Sequence, residues 1–205
     1  MTQETTDAST PDRILDVAET LVQTRGFNGF SYAHIAAALG ITKASLHYHF
    51  RGKAELGEAL VARYSVRFAE ALDDIDRSQP DAREKLTSYA ELYSGVLRAE
   101  RMCLCGMLAA EYETLPAPMG AAIVRFFDAN SAWLTGVLIA GLEEGTLAFD
   151  GDPADGAQTI LAGLEGAMLV ARPYHDPARF DAAASQLLAS FVSPVASQAR
   201  AAQRL

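Results

Sequence analysis

The sequence predicts an all-α protein, a small N-terminal helix-turn-helix module followed by a larger helical domain. Three observations carry that expectation. Half of the residues are hydrophobic but only 8% are aromatic, and Ala and Leu dominate the apolar set, a composition that favours helix over sheet. Apolar residues recur at helical spacing between hydroxyl, acid, Pro and Gly punctuation. No stretch alternates with period two for long enough to make a strand, and nothing repeats at roughly 20–50 residues as a solenoid would.

Thr10-Pro11-Asp12 is expected to open the first helix, with a hydroxyl at the N-cap, Pro at the first position and an acid in the first turn. Ile14, Leu15, Ala18, Leu21 and Val22 then share one face, and Arg25 and Gly26 close the helix. Phe27 and Phe30 follow as anchors. Ser31 caps a second helix with Ile35, Ala36 and Leu39 turned inward, and Gly40 ends it. Ile41 sits in the turn, and Thr42 caps a third helix in which Leu46 and Phe50 lie four apart on one face. Gly52 serves as N-cap for a fourth helix running to about residue 75. Past Ser78-Gln79-Pro80, helices are expected over 81–101, 103–114, 117–145, 153–171 and 177–192. The breaks between them fall at Leu115-Pro116-Ala117-Pro118, Gly145–Asp152 and Arg172-Pro173, and the last helix stops at Ser193-Pro194. Residues 10–56 therefore form the small module, 57–193 the larger domain and 194–205 a frayed tail.

The first dozen residues are polar and acidic and lack the basic start and apolar core of a signal peptide. The longest apolar run, around Leu134–Leu142, is far short of the roughly 20 residues needed to span a bilayer. A soluble cytoplasmic protein with no membrane partner is expected. Its net charge of −9 is uneven: −3 over residues 1–12, +2 over 13–56 and −8 over 57–205. Such asymmetry suits a segment that meets phosphate, although +2 is weak by itself. Cys103 and Cys105 form a C-x-C with no second pair, so neither a zinc site nor a disulfide framework is expected, and no cofactor or metal is called for.

With Leu46 and Phe50 turned to the core, Lys43, Ser45, His47, Tyr48 and His49 are left largely on the outside of the third helix, followed by Arg51 and Lys53. Lysine, hydroxyl, imidazole and phenol groups on one short helix offer donors to phosphates and base edges. The alternative is the solvated face of an ordinary helical hairpin. The run from RGFNGFS to IAAALGITKASLHYHFRGKAEL resembles the TetR family of bacterial regulators. The matching positions are Gly26, Phe27, Ser31, Ile35, Ala36, Gly40, Lys43, Leu46, Tyr48, His49, Phe50, Lys53 and Leu56. The resemblance implies that the third helix enters the major groove, that Tyr48, His49 and Lys53 clamp phosphates, and that Ser31, Thr42, Lys43, Ser45 and His47 read backbone or bases. His47 and Gly52 depart from the family's commoner residues.

The resemblance further implies a homodimer that represses from a double-stranded operator and is released by a small-molecule effector of unknown identity. It places the dimer seam on helices 153–171 and 177–192, with Ile160, Leu161, Leu164, Met168, Leu187, Leu188 and Phe191; an intramolecular core must own some of these. For the effector, Phe126, Asn130 and Trp133 share a stripe with Ile123 and Val137, and Tyr89 and Tyr93 lie four apart on one helix. Asn130 and the tyrosines are either pocket groups or satisfied core residues. Cys103 and Met107 complete the candidate set. Cys103 and Cys105 project about 200° apart on a helix and are either buried hydrophobes or a sensor of oxidants or electrophiles, activated by Arg98 and Arg101. An all-helical enzyme lacks support: there is no metalloprotease motif, phosphate loop or serine elbow, and only His175 lies outside the N-terminal module.

Overall fold

The computed structural model describes residues 9–192, so the tail assigned to 194–205 and the break at Ser193 lie outside the described residues. Nine α-helices follow in order: α1 (Thr10–Arg25), α2 (Tyr32–Leu39), α3 (Lys43–His49), α4 (Lys53–Ser78), α5 (Ala82–Arg98), α6 (Leu104–Ala109), α7 (Ala117–Glu143), α8 (Pro153–Ala171) and α9 (Pro177–Ala189). Single 3₁₀ turns occupy Tyr112–Thr114 and Arg172–Tyr174. Among the described residues the β-type pairing is one isolated bridge, Leu147 with Val192.

Several helix starts carry a side-chain cap, the expected Thr42 among them. Thr42 Oγ1 accepts from Ser45 N at 3.1 Å, Asp81 from Glu84 N at 2.9 Å, Asp152 from Ala154 N at 2.7 Å and Asp176 from Ala178 N at 3.1 Å. At α1 the cap is one residue earlier than expected: Ser9, not Thr10, accepts from Asp12 N. Two ends differ for clear reasons. The 81–101 helix stops at Arg98 because Glu100 takes φ +57° and Arg101 N turns back to Val96 O at 3.0 Å. The 103–114 helix is α-helical only to Ala109 before the 3₁₀ turn. Gly145, at φ +69°, closes the chain behind α7.

The chain divides into two compact units. One holds the described residues up to Ser65 together with Leu104–Ile123; the other holds Val66–Cys103 and the described residues from Val124 onward. Residues 57–65 of α4 and the stretch around α6, assigned from sequence to the larger domain, thus group with the N-terminal helices. In the first unit Ile14, Val22, Ile35, Leu46, Leu56 and Leu60 are wholly buried, and each such side chain contributes about 1.5–3 kcal/mol of transfer free energy. Arg63 on α4 ties down α1, its guanidinium reaching Asp16 at 2.8 Å and Glu19 at 3.0 Å. In the second unit α8 and α9 form an antiparallel pair packed on α5, with Leu164, Met168 and Phe180 buried.

By length and mean hydropathy alone, α7 is long and apolar enough to cross a membrane, contrary to the run-length expectation. Arg125 and Asp128 interrupt it, and Asn130 on the same helix is buried against protein partners.

Candidate nucleic-acid interface

The reading surface is built from the inside outward. Leu46 is fully buried and Phe50 nearly so, which fixes the roll of α3 and leaves Tyr48 85% exposed. Thr42, Lys43 and His47 are also exposed, whereas Ser45 and His49 are half-buried. Tyr48 and His49 meet edge to face, ring centroids 5.1 Å apart. His47 Nδ1 is 3.1 Å from Arg51 O, a carbonyl that can only accept, so a hydrogen bond here takes a proton on Nδ1.

Two devices lock α3 against α2. Gly40 takes φ +65° at the turn, a conformation that costs other residues about 1 kcal/mol or more. Tyr32, at the start of α2, buries its hydroxyl to donate to Phe50 O at 3.0 Å, satisfying the carbonyl at the end of α3. Burial, with a smaller push from Glu55, raises the Tyr32 phenol to about 12, so it stays a donor. Sequence reasoning missed Tyr32, for which the available signal is its position directly after the cap Ser31. Ser31 N donates to His34 Nδ1 at 3.0 Å, closing the N-terminal turn of α2 with a histidine. Ser31, Ala33, Lys43 and His47 line a depression of roughly 330 Å³ beside the start of α2, where free backbone N–H groups favour an anion.

Lys53 has internal partners that its sequence position did not announce. Its ammonium donates to Phe27 O and, at 2.6 Å, to Phe30 O, and stands 4.6 and 4.2 Å from the centroids of the two rings. Two of its three donors are thus engaged inside the protein, and burial lowers its pKa against an opposing pull from Glu111. Lys53 thus staples the α1–α2 loop, and it also lines the depression beside Ser31, Lys43 and His47.

The effector candidates split between the two units. Tyr93 and Tyr89 hydroxyls lie 3.1 Å apart, Tyr89 donates to Asn130 Oδ1 at 3.0 Å, and Asn130 Nδ2 donates to Phe126 O at 2.8 Å. Trp133 stacks on Tyr89 at 5.5 Å and donates Nε1–H to Asp76 at 2.9 Å. Phe126, Tyr89 and Tyr93 also meet Phe68 edge to face. Of the two readings left open for Asn130 and Tyr89, these bonds fit the satisfied core residue. Met107 belongs to the other unit and is half-buried.

Cys103 and Cys105 are both buried thiols outside any disulfide, and they too fall in different units. Arg98, expected to activate a thiol, is paired with Asp181 at 2.9 Å. The group beside the Cys103 thiol is Glu165, which accepts from it, while Glu165 Oε1 is buried without a partner. Burial pushes this carboxyl up to about 7. A separate groove of roughly 390 Å³ runs between α5 and α9, lined by Arg83, Leu86, Ala90, Phe180 and the dimer candidate Leu188, and by none of the expected effector residues.

Most of the residues named for the dimer seam belong to the intramolecular core. Ile160, Leu161, Leu164, Met168 and Phe191 are buried within the single chain, and Leu187 lies over Gly163. They hold α8 and α9 to their own unit. The apolar groups exposed near that pair are Leu169, Val170 and Tyr174.

Comparison with known proteins agrees across the chain. Residues 14–60 match the model of bacterial regulatory proteins of the tetR family, and residues 82–187 that of the tetracyclin repressor-like C-terminal domain. The chain is 32% identical to the transcriptional regulator AcuR of Cereibacter sphaeroides over 154 residues, 72% of this chain and 69% of that protein. It is 26% identical to the transcriptional repressor NemR of Escherichia coli over 174 residues, 82% and 86% of the two chains. A TetR-family regulator from Agrobacterium tumefaciens superposes with a TM-score of 0.86 at 33% identity, covering 89% of this chain and 97% of its own.

Proposed function

Given that the chain belongs to the TetR family of bacterial transcriptional regulators, we propose that it is a repressor that binds a palindromic operator as a homodimer and is released by a small molecule. The observation that supports this most is the outward set on α3. Burial of Leu46 and Phe50 presents Lys43, His47 and Tyr48 together on a helix about 10 Å long, a fit for the major groove. Tyr48, His49 and the N-terminal turn of α2 at Ser31 serve the phosphates, while Thr42, Lys43, Ser45 and His47 face the bases or their flanking backbone.

Two such helices read successive grooves only if a second copy holds them about 34–36 Å apart or a multiple of that distance. The exposed faces of α8 and α9 suit that contact, with Ala162, Gly166, Leu169 and Val170 on one helix and Ala182, Ala183 and Gln186 on the other. The effector acts by favouring dimers whose reading helices no longer match that spacing. Fluorescence anisotropy on a duplex from the protein's own promoter tests the reading. Affinity should fall steeply between about 50 and 200 mM salt, as several phosphate contacts require. Binding that ignores salt, or that shows no preference over a mixed-sequence duplex, would exclude it.

A second reading of the release step is favoured by the Cys103–Glu165 contact. A carboxylate beside a thiol can take its proton as the sulfur adds to an electrophile, and return that proton to the adduct. Mass spectrometry of the protein treated with an electrophile, alongside promoter induction in Cys103→Ser and Glu165→Gln, tests this. An unmodified Cys103 in an induced protein would discard it.

A further inference from the structure

The loop between α1 and α2 must orient everything that reads DNA, yet it has little backbone hydrogen bonding of its own. Gly26 closes α1 at φ +80° and ψ 166°, with its N–H returned to Val22 O at 2.9 Å. The next two N–H groups, of Phe27 and Asn28, find their acceptor 84 and 83 residues away in the carboxylate of Glu111. Phe27 N lies 2.6 Å from Oε2, and Asn28 N lies 3.2 and 3.3 Å from the two oxygens. A Cβ on residue 26 would stand 2.7 Å from Glu111 Oε1, so glycine serves both the positive φ and the approach of the acid. The Asn28 side chain adds a bond to Thr114 Oγ1 at 2.7 Å, and that hydroxyl donates to Glu111 O at 2.8 Å. From the other side Lys53 holds the carbonyls of Phe27 and Phe30. The loop is clasped with its donors on an acid and its acceptors on an ammonium, immediately before Ser31 and α2.

An acid in the DNA-reading unit is a liability for phosphate binding unless it has other work. Building on the DNA-binding reading above, we infer that Glu111 is a positioning residue for DNA recognition: through the N–H groups of Phe27 and Asn28 it fixes the α1–α2 loop, and so the presentation of α2 and α3. The two candidate roles differ in sign. If Glu111 contributed only its charge, neutralising it would strengthen binding to any DNA. As a positioning residue, its loss weakens binding to the preferred sequence while leaving mixed-sequence binding level or slightly stronger. Gln keeps one acceptor oxygen but turns a donor toward the second N–H, so Glu111→Gln tests the role without changing size.

The experiment measures anisotropy of full-length wild type and Glu111→Gln on the promoter duplex and on a mixed-sequence duplex of equal length, with amide hydrogen exchange on the free proteins. The expected result is about a tenfold loss of the specific-to-nonspecific ratio. It is accompanied by faster exchange at Phe27 and Asn28 relative to the amides of α1. Thr114→Val, which removes only the Asn28 side-chain support, moves both readouts the same way by a smaller factor and covers the case of a poorly folded Glu111 variant. An unchanged or higher ratio, or unchanged exchange at the two amides, overturns the inference. A wild type that prefers no sequence overturns the DNA reading itself, while the exchange data still decide whether Glu111 anchors the loop.

Discussion

Replacing Glu165 with Gln should stabilise the protein at neutral and alkaline pH and flatten its pH dependence. Glu165 has its carboxyl end buried, one oxygen without a partner, and a pKa pushed up to about 7 from an ordinary 4.5. Desolvation is the main cause, and the bond from Cys103 offsets only part of it. An acid whose folded pKa is raised holds its proton more tightly when folded. Between about 4.5 and 7 the unfolded chain therefore binds fewer protons, and stability falls as pH rises through that window, then levels off. The span corresponds to about 3 kcal/mol at pH 8 relative to pH 4. The isosteric amide has no charge to desolvate. Thermal melts of both proteins across pH 4–8 check this. The variant's advantage should be near zero at the acid end and grow to roughly 6–12 °C at the alkaline end for a chain of this size. A difference that stays constant with pH, or grows toward acid, would refute the burial argument.

Tyr32→Phe leaves Phe50 O buried without its donor, so urea unfolding should show a loss of about 1–3 kcal/mol, with weaker promoter binding because α3 loses its C-terminal tie. Gly57→Ala drives a methyl to 2.4 Å from Met119 Sδ and should destabilise by about 1–3 kcal/mol, whereas Gly95→Ala in the open interior of α5 should stabilise by about 0.5–1 kcal/mol; paired melts distinguish the two. Leu169→Glu places a charge on the proposed dimer face without touching the core, so light scattering should find a monomer whose promoter affinity is lost.

What could be read in the sequence was local. The helix-turn-helix rests on short-range signals: a hydroxyl cap at Thr42, a left-handed Gly40, and the spacing of Leu46 and Phe50. The Asp-Pro pairs at 152–153 and 176–177 announce α8 and α9 in the same way. What was not legible depends on partners distant in the chain. Lys53 looks like an exposed cation until the carbonyls of Phe27 and Phe30 fold over it. Asn130 looks unsatisfied until Tyr89 and Phe126 O reach it. The segment 103–114 is apolar enough for a longer helix, but Glu111 is drawn out of helical register toward two amides more than 80 residues away. Nor does helical spacing tell which apolar residues of α8 fill their own unit: Leu164 and Met168 are buried there, while the exposed face of the same helix carries small residues such as Ala162 and Gly166.

The central claim, that the outward face of α3 reads DNA, is tested most directly by hydroxyl-radical footprinting of the protein's own promoter with wild type and a Lys43→Ala/Tyr48→Ala double variant. Both substitutions fall on exposed side chains and should leave the fold and its melting temperature in place. The expected result is two protected half-sites on one face of the duplex, about 34–36 Å or a multiple apart, with protection lost in the double variant. Protection that survives the double substitution, or no paired protection with wild type, would contradict the account.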